Sequence, residues 1–279
     1  RIRNHGDQSA VISSDGKEYS YNDLKTSVSR LNRIFQKKGM AHGARVAFLC
    51  PPGFEYCSII LSIWDLGGVA VPLCTSHPEK ELSYSIQTAD ADMIVSLESN
   101  SQILEPIMKS SDRISCILNN ENFFSEPSSL SVDFMEKKTT NHSVDDDALI
   151  IFTSGTTGQP KGVVLTHLNL QSQTNTLVKA WGWNKNDRIL HVLPLHHLHG
   201  LGNKLLCALW SGASILFSSP KPKEIWSKFA QAKKLKITLF MAVPTNYALL
   251  IREYENIQNQ QSNHQSDPFT VQDIQEGLK

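Results

Sequence analysis

Short apolar runs alternate with helical patterns along nearly the whole chain, and this rhythm restricts the fold more than any single motif. Ser20 can cap a helix in which Leu24, Val28, Leu31, Ile34 and Phe35 fall on one face. Gly39 and Gly43 end it, and Val46–Leu49 reads as a buried strand. Tyr56, Ile59, Ile60, Ile63 and Trp64 then recur at helical spacing until Gly67-Gly68, after which Val69–Val71 is a second strand. Two further units follow: helix Glu79–Thr88 with strand Met93–Leu97, and helix Gln102–Lys109 with strand Ile114–Leu118. Strands joined by crossover helices imply parallel sheets with helices on both faces.

Asn119–Asp147 interrupts the rhythm with Ser, Asn, Asp, Glu and Lys, and reads as a linker with a short strand at Ser131–Met135. The alternation then resumes. Strands are expected at Ala148–Phe152, Val163–Thr166, Arg188–Leu193, Ser214–Phe217 and Ile237–Met241. The helices between and after them are Leu168–Trp181, Leu198–Trp210, Pro222–Lys233 and Thr245–Glu255. Asn256–Asp267, rich in Gln, Asn and Ser, reads as a surface loop. The expected organisation is therefore α/β: two parallel-sheet α/β subdomains, residues 1–118 and 148–279, joined by the linker 119–147.

Lys and Arg total 27 and Asp and Glu total 27, which argues against a nucleic-acid binder that relies on bulk positive charge, a local patch aside. No apolar run approaches the roughly 18 residues of a membrane-crossing helix. Cys50, Cys57, Cys74, Cys116 and Cys207 are odd in number and scattered through apolar runs. They read as reduced core thiols of an intracellular protein. Arg1 stands where a Met would open the chain, and Glu276-Gly277-Leu278-Lys279 ends a helical pattern without a closing signal. Both ends are thus expected to continue in a longer protein, and a cytoplasmic or mitochondrial location fits.

One segment carries the chemistry most plainly: Phe152-Thr153-Ser154-Gly155-Thr156-Thr157-Gly158-Gln159-Pro160-Lys161-Gly162-Val163. Glycines let successive backbone N–H groups converge on an anion, hydroxyls rotate to meet phosphate oxygens, and Lys161 adds a point charge. No Gly-Lys-Ser/Thr ends it and a strand follows, so it is not a Walker A loop. A polar hairpin turn would use the same residue types. A second segment, Leu193-Pro194-Leu195-His196-His197-Leu198-His199-Gly200-Leu201, clusters three histidines. The neighbourhood offers no Cys, Asp or Glu at zinc-ligand spacing, so a metal site is not assigned; polar capping of the next helix is the structural alternative.

The twelve residues Phe152–Val163 resemble the signature loop of the acyl-adenylate-forming enzymes: acyl-CoA synthetases, luciferases and peptide-synthetase adenylation domains. The resemblance implies a loop that grips the β- and γ-phosphates of ATP, with Thr153, Ser154, Gly155, Thr156, Thr157, Gly158 and Lys161 as nucleotide-binding residues. It also implies that the histidine segment lines the acyl pocket, with His197 near the carboxylate being activated. Residues 193–213 and Phe240–Tyr247 further resemble the malonyl-CoA synthetases of that family. There His199 would donate a hydrogen bond to the second carboxylate of a dicarboxylic acid. Trp64–Leu73 and Ser20–Leu24 fit the family as packing and helix-start motifs.

On this reading the chain is roughly the first half of an ATP-dependent acid–CoA ligase acting on malonate or methylmalonate, with ATP, Mg2+ and CoA as cosubstrates. The catalytic lysine and the magnesium and adenine contacts are expected beyond Lys279, so no catalytic residue and no metal ligand are assigned, and Lys161 is not that lysine. No nucleic-acid partner and no transmembrane segment are expected. Two alternatives stand beside it: a truncated product that turns nothing over, and a fatty-acyl, aryl or amino-acid activator of the same fold.

Overall fold

Residues 5–124, 143–153, 159–262 and 268–279 are described by the structure, a computed structural model. Helix α1 (Tyr21–Lys37) begins where its sequence requires. The Ser20 side chain accepts from the Asp23 backbone N–H at 3.0 Å, and the Asp23 carboxylate accepts from the Ser20 N–H at 2.7 Å, a reciprocal cap that satisfies two otherwise orphaned donors. Leu24, Leu31 and Phe35 are buried along the inner face of α1.

The chain then builds β3 (Arg45–Leu49), α2 (Phe54–Asp65), β4 (Val69–Pro72), α3 (Glu79–Thr88), β5 (Met93–Leu97), α4 (Ser101–Lys109), β6 (Ile114–Leu118) and a short α5 (Asn120–Phe124). Strands β3 to β6 run parallel. Val46 and Phe48 face one core while Ala47 and Leu49 face another, so β3 is buried on both sides. That is why it reads as an unbroken apolar run.

Two hairpins complicate the expected division of the chain. β7 (Asp147–Thr153) pairs parallel with β4, and β8 (Lys161–Thr166) pairs antiparallel with β7. The first sheet therefore has the order β6-β5-β3-β4-β7-β8. β1 (Ser9–Ile12) and β2 (Glu18–Ser20), which the sequence pattern does not announce, join the second sheet. Val11 aligns with Ile215 although the two are about two hundred residues apart in the chain. Sheet membership thus crosses the 119–147 segment in both directions. Ser131–Met135, where a strand is expected, lies outside the described residues.

The second sheet has the order β11-β9-β10-β1-β2 and is formed with β9 (Arg188–His191), β10 (Ser214–Phe217) and β11 (Leu239–Phe240). Its helices are α6 (His167–Trp181), α7 (Leu198–Gly200), a π-wound segment Leu201–Leu206, α8 (Cys207–Ser211), α9 (Pro222–Ala230), α10 (Ala232–Leu235), α11 (Pro244–Ser262) and α12 (Val271–Leu278). The main core draws on both sheets and on α1, α2, α6 and α8, so helices lie between the sheets. All five cysteines are free and buried.

Three expectations need correction. The strand expected over Ile237–Met241 is only two residues long, Leu239–Phe240, and pairs with β9 alone. The Leu198–Trp210 helix is not uniformly α but loosens through Leu201–Leu206. Residues 256–262, expected in a loop, continue α11. Ile257 is the reason: it is buried with Phe269 and Ile274 and packs beside Tyr254 and Trp226. Tertiary burial of one apolar face overrides the weak helix preference of a Gln/Asn-rich stretch.

Candidate functional site

Both chemistry-bearing segments emerge at the carboxyl edges of parallel strands. Thr153 ends β7, the neighbour of β4, and lies opposite Lys161 at the start of β8; both side chains are exposed. β7 and β8 are thus antiparallel partners on either side of residues 154–158, and a strand follows that segment as expected. Ser154, Gly155, Thr156, Thr157 and Gly158 lie outside the described residues. The returning limb is tied down by Tyr84 of α3, whose hydroxyl donates to the Pro160 carbonyl at 3.0 Å. At Gly162 a Cβ would come within 3.2 Å of Ile150 Cγ2 and 3.5 Å of the Phe152 ring, so a larger residue would press on its cross-strand neighbours.

The histidine segment leaves β9 as an extended turn that ends at His197, the N-cap of α7. Two hydrogen bonds hold it from opposite sides. Tyr56 of α2 donates to the Leu195 carbonyl at 3.0 Å, and His191 at the end of β9 bonds the Gly200 carbonyl through Nε2 at 3.0 Å. Gly200 is required by proximity: a Cβ there would sit 2.2 Å from the Pro194 carbonyl oxygen.

Between the sheets, at the carboxyl ends of β3, β4, β9 and β10, lies a cavity of about 440 Å³ whose wall includes Cys50, Leu73, His191, Leu193, His196 and Phe217. Open parallel sheets place ligand sites outside these strand ends because the loops there converge. His191 and His196 are the ring nitrogens in this wall, and sequence reasoning did not select them. For His191 a signal was present, a lone polar residue inside the apolar run Ile189–Leu193.

His197 and His199, the residues selected from sequence, are exposed and do not line this cavity. The His197 ring instead lies tilted 4.2 Å from that of His196, which in turn lies 6.0 Å from His77. His77 Nδ1 is 3.3 Å from the Glu81 carboxylate. Burial, then the neighbouring His197 and His77, push the His196 pKa down to about 4, so the ring is neutral near pH 7. Burial takes His191 down to about 4 as well. The pKa of His199 is lowered by burial and then by Lys204. His199 Nδ1 meets the Asn203 amide nitrogen at 3.3 Å, and the Gln173 amide donates to Asn203 Oδ1. Among the described residues no group of three His, Cys, Asp or Glu side chains is arranged to hold a metal ion. No helix of the described residues is long and apolar enough to cross a membrane.

The limbs of the β7–β8 hairpin and the histidine turn thus lie at the carboxyl ends of strands in the two sheets. The AMP-binding enzyme family matches residues 1–273, and the chain belongs to that family. Among individual proteins it is 40% identical over 256 residues to a mitochondrial malonate–CoA ligase of Xenopus laevis, covering 89% of this chain and 44% of that protein. It is 36% identical over 272 residues to a malonate–CoA ligase of Arabidopsis thaliana, covering 88% and 44%. The fold superposes on the ATP-bound crystal structure of MatB from Rhodopseudomonas palustris with a TM-score of 0.76 and 28% identity, covering 88% of this chain and 48% of that one. The chain spans about half the length of the curated relatives it matches.

Proposed function

We propose that this chain supplies the phosphate loop and the acid-facing histidine turn of an ATP-dependent acid–CoA ligase whose substrate is malonate or methylmalonate. The observation that supports the reading is the joint presence of the 152–163 sequence, flanked by the paired strands β7 and β8, and the 193–201 segment at the carboxyl edges of neighbouring sheets. The identity of 36–40% to malonate–CoA ligases supports the choice of acid.

In the first step a carboxylate oxygen of the acid attacks the α-phosphorus of ATP, and pyrophosphate leaves. Thr153, Ser154, Gly155, Thr156, Thr157, Gly158 and Lys161 hold the departing β- and γ-phosphates. The gain is electrostatic, because donors already aimed at developing charge need no reorganisation. His197 and His199, both exposed, face the acid, and His199 offers N–H to a carboxylate oxygen. In the second step the CoA thiol attacks the acyl carbonyl and AMP leaves. Magnesium accompanies ATP in such chemistry; among the described residues no group of three His, Cys, Asp or Glu side chains is arranged to hold a metal ion.

The test is pyrophosphate exchange by the whole protein with malonate, methylmalonate, octanoate and benzoate. Fast exchange with the first two and slow exchange with the others is the expected result. Equal rates with octanoate and malonate would overturn the dicarboxylate assignment.

A further inference from the structure

Strand β8 lies at the edge of the first sheet, so β7 alone holds it by a ladder. The limb that enters β8 has a second anchor. The Tyr84 hydroxyl of α3 donates to the Pro160 carbonyl at 3.0 Å, across 76 residues of chain. Helix α3 is a firm base for this bond. Leu82 and Ile86 are 1% and 0% exposed, and they share a core with Ile150 of β7, with Phe152 packed against it. Tyr84 therefore reaches the limb from a helix already seated against β7.

The bond acts one residue further on. The Pro160 carbonyl and the Lys161 N–H belong to one planar peptide unit, so holding the direction of the carbonyl also constrains where the Lys161 Cα sits. Pro160 adds to this, because its ring locks φ and leaves the limb one torsion fewer to vary. Lys161 then enters the ladder opposite Thr153. Its side chain is exposed, so packing gives it no direction. A lysine stem has many rotamers, and the backbone from which it starts decides the region its ammonium can sweep. Tyrosine suits the task, because a rigid ring with two torsions carries the donor and the carbonyl can only accept.

We propose that Tyr84 is a positioning residue of the adenylation step: through the Pro160 carbonyl it holds Lys161 where the departing phosphates are met. The assignment of phosphates to Lys161 rests on the acid–CoA ligase reading above; the tether itself does not. Tyr84 touches no reacting atom, so its whole effect passes through Lys161. A merely structural role would look different. His77, just before α3, has its ring 6.0 Å from that of His196, so a shift of the helix would disturb the histidine turn as well. Loss of the hydroxyl alone would disturb the phosphate limb and leave the turn in place.

The experiment compares wild type, Tyr84→Phe, Lys161→Ala and the double variant as whole proteins. Phenylalanine keeps the ring and removes only the donor. Malonate-dependent ATP–pyrophosphate exchange, KM for malonate and the equilibrium affinity for inorganic pyrophosphate are measured for each. Tyr84→Phe is expected to lower the kcat of exchange and the pyrophosphate affinity about five- to tenfold, the worth of one hydrogen bond, with KM for malonate unchanged. In the Lys161→Ala background the same substitution is expected to change nothing further, because the two residues act as a unit. Amide hydrogen exchange over residues 160–166 should quicken in Tyr84→Phe while that of Glu79–Thr88 keeps its rate. A full-sized effect of Tyr84→Phe in the Lys161→Ala background, a parallel rise in KM for malonate, or faster amide exchange through Glu79–Thr88 would each make the role structural and overturn the proposal. So would wild-type kcat and pyrophosphate affinity in Tyr84→Phe. A wild type that binds no pyrophosphate and exchanges none would defeat the phosphate reading itself, and the proposal with it. A wild type active with other acids and not with malonate would defeat only the choice of acid, and the same comparison made with the accepted acid then decides the role of Tyr84.

Discussion

The His191 imidazole donates through Nε2 to the carbonyl of Gly200 across 3.0 Å, and this bond fixes the angle at which the histidine turn joins its helix. The carbonyl can only accept, so the tautomer is set and Nδ1 is left as a buried acceptor with no hydrogen-bond partner among the described residues. Gly200 completes the arrangement, because its missing Cβ is the space the Pro194 carbonyl occupies.

Gly200→Ala should therefore destabilise the chain. The added methyl meets backbone, not a flexible side chain, so relief needs the turn itself to move. Overpacking of this kind costs about 1–3 kcal/mol. Urea unfolding of the variant checks it; an unchanged midpoint would mean that the turn yields without cost.

Stability should also fall on acidification through a histidine term. His191 has its pKa lowered from 6.5 to about 4, and burial is the main cause. The folded state prefers the neutral ring, so the unfolded chain binds the extra proton first. The contribution is complete above pH 6.5 and is lost as pH falls toward 4; for this buried ring it is on the order of 3 kcal/mol. His196 acts in the same direction. Unfolding curves between pH 7 and pH 4 should steepen in their pH dependence below 6.5, and His191→Met should flatten that slope. Parallel pH profiles for the two proteins would refute the assignment.

The phosphate hairpin should matter to adenylation more than to folding. On the proposed reading, Thr156→Ala or Lys161→Ala in the whole protein removes one phosphate donor, which is expected to cost on the order of 2–4 kcal/mol of transition-state stabilisation. Lys161 is exposed, so its loss leaves the core untouched. Pyrophosphate-exchange rates equal to wild type in both variants would remove the loop from the reaction.

The 279-residue chain by itself should release no AMP from malonate, ATP, magnesium and CoA, because it spans only about half the length of the curated ligases it matches. It should also bind apolar dyes and self-associate. Val243, Tyr247, Leu249 and Ile251 of α11 and its approach are exposed, as are Val163 and Val164 on the edge strand β8. Turnover above a no-enzyme control would defeat the first expectation, and a dispersed monomer without dye binding the second.

Much of this protein was legible in the chain because it is encoded locally. Helix Glu79–Thr88 and strands Met93–Leu97, Ile114–Leu118 and Ser214–Phe217 appear with the bounds their periodicity predicts. Ser20 and Asp23 mark the start of α1 by chemistry confined to four residues. The strand after residues 153–161 was legible too, since that polar, glycine-rich stretch stands between two apolar runs. The tertiary structure alone decided what depends on distant partners. Ser9–Ile12 is a strand because Ile215 and Leu216 offer it a ladder, and no local pattern encodes that offer. Residues 256–262 are helical because Phe269 and Ile274 bury Ile257. His191 and His196, not His197 and His199, line the inter-sheet cavity because the turn is held between Tyr56 on one side and Gly200 on the other. Spacing along the chain tells which residues share an element. Which way a side chain faces at the end of that element is set by the hydrogen bonds and burial supplied from the opposite sheet.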